Sequence, residues 1–130
     1  MIFIDSNVPM YVIGADHPNK RLAIEAISQH VMEEERLVTS VEVFQEILHR
    51  YSSLERRESI GPAFDLLSRI VDETFSIEPA HIERARELVV AEAFNARDAL
   101  HVAVMESHGI RRILSFDRGF DRIESVERLS

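Results

Sequence analysis

No cysteine occurs in the 130-residue sequence. A disulfide framework, a thiolate metal site and a cysteine nucleophile are all excluded by that absence. Long apolar runs are missing too, and nothing approaches the roughly 20 residues that cross a bilayer. The amino end reads MIFIDSN, with no basic segment ahead of a long apolar stretch. No signal peptide is expected, and the chain reads as cytoplasmic, with no membrane association. Positive charge is scarce: 15 Lys+Arg stand against 23 Asp+Glu, a formal net charge of −8. Proteins that hold nucleic acid by charge alone are basic, so this balance taken by itself argues against such a substrate. It ceases to be an objection where several of the acids are metal ligands, because bound divalent cations reverse the local field. What is present is ordinary for one globular domain, with 45% hydrophobic and 29% charged residues. The length suits a single buried core, and no linker or repeat divides it.

Short buried strands alternate with helical patterns along the chain. Met1–Ile4 is an apolar run read as a fully buried first strand, and a short helix follows through Tyr11–Ile13. Gly14, Asp16 and Pro18 mark a break. Leu22, Ala23, Ala26, Ile27 and Val31 recur at helical spacing between Asn19 and Met32. Leu37–Thr39 is a second strand, Ser40 a helix cap, and Val43, Phe44, Ile47 and Leu48 the apolar face of the next helix. The polar segment Ser52–Ser59 reads as a loop or helix end. Gly61-Pro62 then opens a helix with Phe64, Leu67, Ile70 and Val71 inward. Thr74–Ile77 is a third strand, and Pro79 suits the first turn of a helix reaching Phe94. Asn95–Ser107 is a further helix stopped by Gly109. Arg112–Leu114 and Ser125–Leu129 are the last two strands. This alternation predicts an α/β fold with a mostly parallel sheet covered on both faces.

In such sheets the site lies beyond the carboxyl ends of the strands, at the topological switch point. Asp5 ends the apolar run IFID, and Asp117 ends LSFD near the other end of the chain. Either one alone suits helix capping as well as chemistry; together they converge if their strands are neighbours. Asp98 stands at the head of the helix NARDALHVAVMESHG, where an acid favours the macrodipole. That helix is apolar nearly all round and so should be buried, and a buried acid needs a partner that a metal would supply. Glu42 and Glu46 share a helix face. Glu42 is accounted for by its first-turn position, whereas Glu46 sits deeper, at the edge of the apolar face. A cluster of oxygen ligands without His or Cys selects hard cations, Mg²⁺ or Mn²⁺.

With these residues in place, the sequence resembles the PIN-domain nucleases, and among them the VapC-type toxins of toxin–antitoxin pairs. The resemblance runs in order through IFIDSNVPMY, VTSVEVFQEIL, ARDALHVAVMESHGI and ILSFDRGFDRI. In the second block the family's acid is the one just before the Ile/Leu pair, which selects Glu46 over Glu42. Ser6 and Ser115 stand where many relatives have Thr, and Asn7 follows at a near-site position; all three keep a polar group. The resemblance implies a single PIN-like three-layer α/β/α domain over residues 1–130 with a sheet of about five strands. It also implies Mg²⁺- or Mn²⁺-dependent RNA cleavage at Asp5, Glu46, Asp98 and Asp117, a homodimer, and a VapB-like antitoxin that inhibits it.

Asn7 and Ser115 are expected to orient the ligand carboxylates or to cap. His101, one turn after Asp98, is read as a hydrogen-bonded core or interface histidine, and Asp121 as a solvated surface acid. Arg50, Arg56, Arg57, Arg97 and Arg118 are candidates for phosphate contacts, although a solvated, salt-bridged face is the better reading of any one alone. An aspartyl-phosphate phosphatase would require a second Asp where Asn7 stands and a lysine in the site, and the only lysine is Lys20. A catalytically inactive PIN-like module that binds RNA or a partner is the remaining alternative.

Overall fold

A computed structural model describes all residues, Met1–Ser130. Five strands form one parallel sheet in the order β3-β2-β1-β4-β5. They are β1 (Ile2–Ile4), β2 (Leu37–Ser40), β3 (Glu73–Phe75), β4 (Arg112–Leu114) and β5 (Glu127–Leu129). The helices are α1 (Asn7–Ile13), α2 (Pro18–Met32), α3 (Val41–Ser53), α4 (Ile60–Ile70), α5 (Pro79–Glu92) and α6 (Ala96–Ser107). From β1 the chain steps outward to β2 and β3, then returns past β1 to β4 and β5. Right-handed crossovers put the helices of steps taken in one direction on one face, so α1–α4 share a face and α5 and α6, on the return path, cover the other. In keeping with this, α1 packs on α2 and α4, α3 packs on α4, and α5 packs on α6. The result is the three-layer α/β/α arrangement that the strand–helix alternation predicted.

The reversal places the switch point between β1 and β4. Ile2, Phe3 and Ile4 are fully buried because β1 is central and covered on both faces, which is why its sequence is apolar without alternation. Phe3 pairs in register with Val38 on one side and Ile113 on the other. The two edge strands carry charge instead: Glu73 binds Arg36, and Arg128 binds Asp121. Charged edges of this kind discourage pairing with further chains.

Several expectations shift by a residue or more. β3 starts at Glu73 and ends at Phe75 rather than running to Ile77, because its ladder with β2 stops where Ser40 hands over to α3. Helix α5 ends at Glu92, since Ala93 turns left-handed with φ +58°. Leu22, Val31 and Leu48 are exposed, so the buried stripes of α2 and α3 are narrower than spacing alone suggested. On α3 the inward face is Val43, Glu46, Ile47 and Tyr51, an acid set within an apolar stripe. Ser40 stands at the N-cap of α3 as expected, but its hydroxyl makes no capping bond and is buried without a partner. Gly109, with φ +67°, terminates α6 in the left-handed conformation that glycine adopts without strain.

Candidate active site

Asp5 follows β1 and lies 5% exposed at the carboxyl edge of the sheet. Its Oδ1 accepts the Ser6 backbone N–H at 2.8 Å, and its Oδ2 accepts the Ser115 hydroxyl at 2.6 Å and the Asn7 amide at 3.3 Å. Ser115, just past β4, also accepts the Asp117 N–H at 3.0 Å and the Asn7 amide at 3.2 Å. Asn7 closes the loop by accepting the Phe116 N–H at 3.2 Å. One buried hydroxyl thus ties the end of β1 to the turn that presents Asp117. Asn7 and Ser115 do orient a carboxylate, as one of their two expected roles required.

Asp98 occupies the first turn of α6, where it is both a capping residue and buried. Its N–H binds Asn95 Oδ1 at 2.9 Å and its Oδ2 accepts the Asn95 amide at 2.8 Å, so it takes part in the helix cap. The same carboxylate is only 9% exposed, and it faces Asp117 across Gly119. A Cβ built at Gly119 would stand 3.0 Å from Asp117 Oδ1 and 3.2 Å from Asp98 Oδ2. Asp117 is exposed and accepts the Gly119 N–H at 2.8 Å. Gly119→Ala is therefore expected to push the two carboxylates apart. If these acids carry the chemistry, activity should fall about tenfold, since small misplacements at a reacting centre are costly, while the far-ultraviolet circular dichroism stays unchanged.

Glu46 and His101 complete the arrangement. His101 Nε2 is hydrogen-bonded to Glu46 Oε1 and lies 3.8 Å from Asp5 Oδ1. The ligand atoms of Asp5, Glu46 and His101 all fall within 4.8 Å of one another. His101 is the hydrogen-bonded buried histidine that the sequence suggested, but its partner is a candidate site acid. The signal was its position one turn after Asp98 on the same buried helix. Arg97 Nη1 sits 3.7 Å from Glu46 Oε2 and so faces the acids. Asp121 is held away from the site by a two-pronged pair with Arg128, whose remaining nitrogen binds the Ser115 carbonyl at 3.0 Å. Glu42 is half-buried beside Glu46. Three of the other five histidines serve local structure: His17 caps α2, His81 bridges Glu78 and Ser107, and His108 stacks on Phe75.

Electrostatics show a site short of positive charge. Burial pushes the Asp5 carboxyl above its ordinary range; His101 and the Ser115 hydroxyl oppose the shift, and Glu46 adds to it. Burial, followed by the nearby Asp117, likewise raises Asp98. Burial raises Glu42 as well, with Glu46 adding to the effect. For His101, burial works against the proton, yet the bond to Glu46 and the charges of Asp5, Glu46 and Asp98 outweigh it and hold the imidazole above its usual value. A hard divalent cation fits this donor set, since the oxygens are carboxylates and the counter-charge is deficient.

The shifts have a testable sign. Groups whose folded-state values are raised stabilise the protein at low pH and lose that contribution as pH climbs through those values. Asp5, Asp98 and His101 all act this way. Glu35 and Asp121, lowered by hydrogen bonds from Arg112 and Arg128, lose their contribution only in stronger acid. In EDTA the melting temperature should fall as pH rises past the ordinary Asp value of about 4 and, for His101, past the ordinary His value of about 6.5. Added Mn²⁺ should raise it more at pH 8 than at pH 5. A flat metal-free profile across that window would contradict the charge deficit.

The family model of the PIN domain matches residues 2–126. The chain belongs to the PIN-domain family. It is 49% identical over 131 residues to the ribonuclease VapC13 of Mycobacterium tuberculosis, covering 100% of both chains. Among solved structures, this PIN domain is similar to VapC20 of Mycobacterium tuberculosis, a sarcin-ricin loop cleaving toxin, with a TM-score of 0.75 at 21% identity over 95% of each chain. It is also similar to VapBC2 of Rickettsia felis, solved bound to a DNA fragment from its promoter, with a TM-score of 0.70 at 14% identity over 99% of this chain and 98% of that one. These two structures support the fold, while the similarity to VapC13 extends to sequence over the full length.

Proposed function

We propose that residues 1–130 act as one PIN-like nuclease domain that hydrolyses RNA phosphodiester bonds with Mg²⁺ or Mn²⁺, as the toxin of a VapBC-type pair. The observation that carries this reading is the gathering of Asp5, Glu46, Asp98 and Asp117 at the switch point, from elements at both ends of the chain. The ribonuclease naming of a relative 49% identical over the whole chain supports it further. A VapB-like antitoxin and a homodimer complete the proposal, the first supported by the similarity to a VapBC assembly. A cytoplasmic setting is part of the same reading, and no helix is long and apolar enough to cross a membrane.

In this reading the oxygens of Asp5, Glu46, Asp98 and Asp117 hold the cation, directly or through water. When bound, it would orient a water for in-line attack and neutralise charge on the phosphoryl and leaving oxygens. The protein's own part is positioning. Ser115 and Asn7 fix Asp5, and Asn95 fixes Asp98. His101 holds Glu46 through Nε2 and acts as a positioning residue. Asp117, the exposed member, stands at the rim where substrate and water enter.

End-mapping of RNA incubated with the purified protein in Mg²⁺ tests the proposal. Discrete internal cuts are expected. Intact RNA under conditions where the protein still binds it would favour the inactive binding module instead.

A further inference from the structure

A cleft of about 510 Å³ opens beside the acids, between α1 with the loop that follows it and the carboxyl end of α3. Asn7 and Asp117 form part of its lining, so it is continuous with the candidate active site. Its aromatic lining is Tyr11, His17, Phe116 and the buried Tyr51. The Tyr11 ring lies 5.2 Å from Phe116 in an edge-on contact and 4.9 Å from His17. Tyr11 and Phe116 are half-buried and His17 is exposed, which leaves a joined aromatic surface partly open to solvent.

Arg50 and Arg56 supply the charge. Both are exposed, and neither takes part in any ion pair or side-chain hydrogen bond, whereas Arg84, Arg112 and Arg128 are each bound to carboxylates. Arg50 and Arg56 line the cleft with Tyr51, whose phenol is raised by burial, a shift that the two charges oppose. Besides Asp117, a second acid, Asp16, lines the cleft; Lys20 donates from its ammonium to the Gly14 carbonyl at 2.9 Å.

We propose that this cleft is a nucleotide subsite for single-stranded RNA, with Arg50 and Arg56 on the phosphate next to the scissile one and its base against Tyr11, Phe116 and His17. The proposal rests on the ribonuclease reading and deepens it. The net charge of −8 works against a phosphate backbone in general, and Arg50 and Arg56 offer two unpaired basic groups in the cleft that Asp117 also lines. Aromatic faces accept a base only when it is unstacked and unpaired, so the subsite should select single strands over duplex.

Fluorescence anisotropy with a labelled single-stranded oligoribonucleotide and the full chain in EDTA at low salt isolates binding from hydrolysis. Arg50→Gln/Arg56→Gln should weaken binding about tenfold or more and reduce the salt slope by roughly 0.7 to 1.4, corresponding to one or two lost phosphate contacts. Tyr11→Leu should weaken it about tenfold, and Tyr11→Phe, which keeps the ring, should leave it within about twofold. Unchanged affinity and slope in the double arginine variant would overturn the proposal. So would equal losses for duplex and single strand in Tyr11→Leu, because base stacking would then play no part. RNA affinity retained in the arginine variant, together with lost affinity for an acidic antitoxin peptide, would reassign the cleft to a protein partner. Failure of the wild type to cut RNA in Mg²⁺ would defeat the ribonuclease reading separately, since the binding differences are read without metal.

Discussion

Asp98→Asn is expected to reduce RNA cleavage on the order of a thousandfold, the scale on which losing one preorganised electrostatic group at a reacting centre is felt. The exchange is nearly isosteric and keeps a polar head beside Asn95, so the cap of α6 survives. It also removes a buried negative charge that Asp117 and Asp5 both oppose. Metal-free stability should therefore be equal to or higher than that of the wild type, even as activity collapses. Asp5→Asn should behave alike, since burial raises Asp5 too. Loss of activity with no loss of melting temperature separates a site role from a structural one. Full cleavage by both variants would remove these acids from the mechanism.

The second large effect concerns stability. His101 is 1% exposed and Glu46 6%, and the imidazole is the donor bonded to Glu46. His101→Leu leaves Glu46 and Asp5 facing each other without that donor. Breaking one side of a buried pair costs about 3–5 kcal/mol, which for a domain of this size lowers the melting temperature by about 10–15 °C in EDTA. The double variant His101→Leu/Glu46→Leu should recover much of the loss, because no uncompensated charge remains at that position. A cycle in which the two single effects simply add would show that the pair is not coupled. Mn²⁺ at saturating concentration should shrink the deficit of the His101→Leu single variant by replacing the missing positive charge.

Much of this arrangement can be read from the sequence, for reasons that particular residues make clear. A central parallel strand buried on both faces must be apolar throughout, so Ile2–Ile4 and Ile113–Leu114 announce themselves, and the acids beyond them stand out. The neighbouring order of β1 and β4 was required for Asp5 and Asp117 to meet, and the sheet has it. Asp98 was legible because α6 is apolar all round. Glu46 was different, since helical spacing tolerated Leu48 on the buried face, and it was chiefly the family pattern, added to its deeper position, that distinguished Glu46 from Glu42. In three dimensions α3 keeps Val43 and Ile47 inward, exposes Leu48 and buries Glu46.

What spacing could not deliver were contacts between distant elements. His101 and Glu46 are 55 residues apart, and nothing in either local pattern marks them as partners. The Ser115 hydroxyl that links Asp5 to the Asp117 turn is equally a product of tertiary structure. Strand ends such as Phe75 moved because a ladder ends where its partner does, a property of the pair and not of either segment. The cleft beside the acids belongs to the same class, since α1, α3 and the turn after β4 define it only once folded.

The central claim is that the gathered carboxylates work through a divalent cation on RNA. It is tested most directly by the initial rate of cleavage of a labelled single-stranded RNA by the full chain, first dialysed against EDTA and then titrated with Mn²⁺ or Mg²⁺. The account predicts no detectable cleavage in EDTA and a saturable return of activity with either ion, which Na⁺ at equal ionic strength does not reproduce. Undiminished cleavage in EDTA would contradict it.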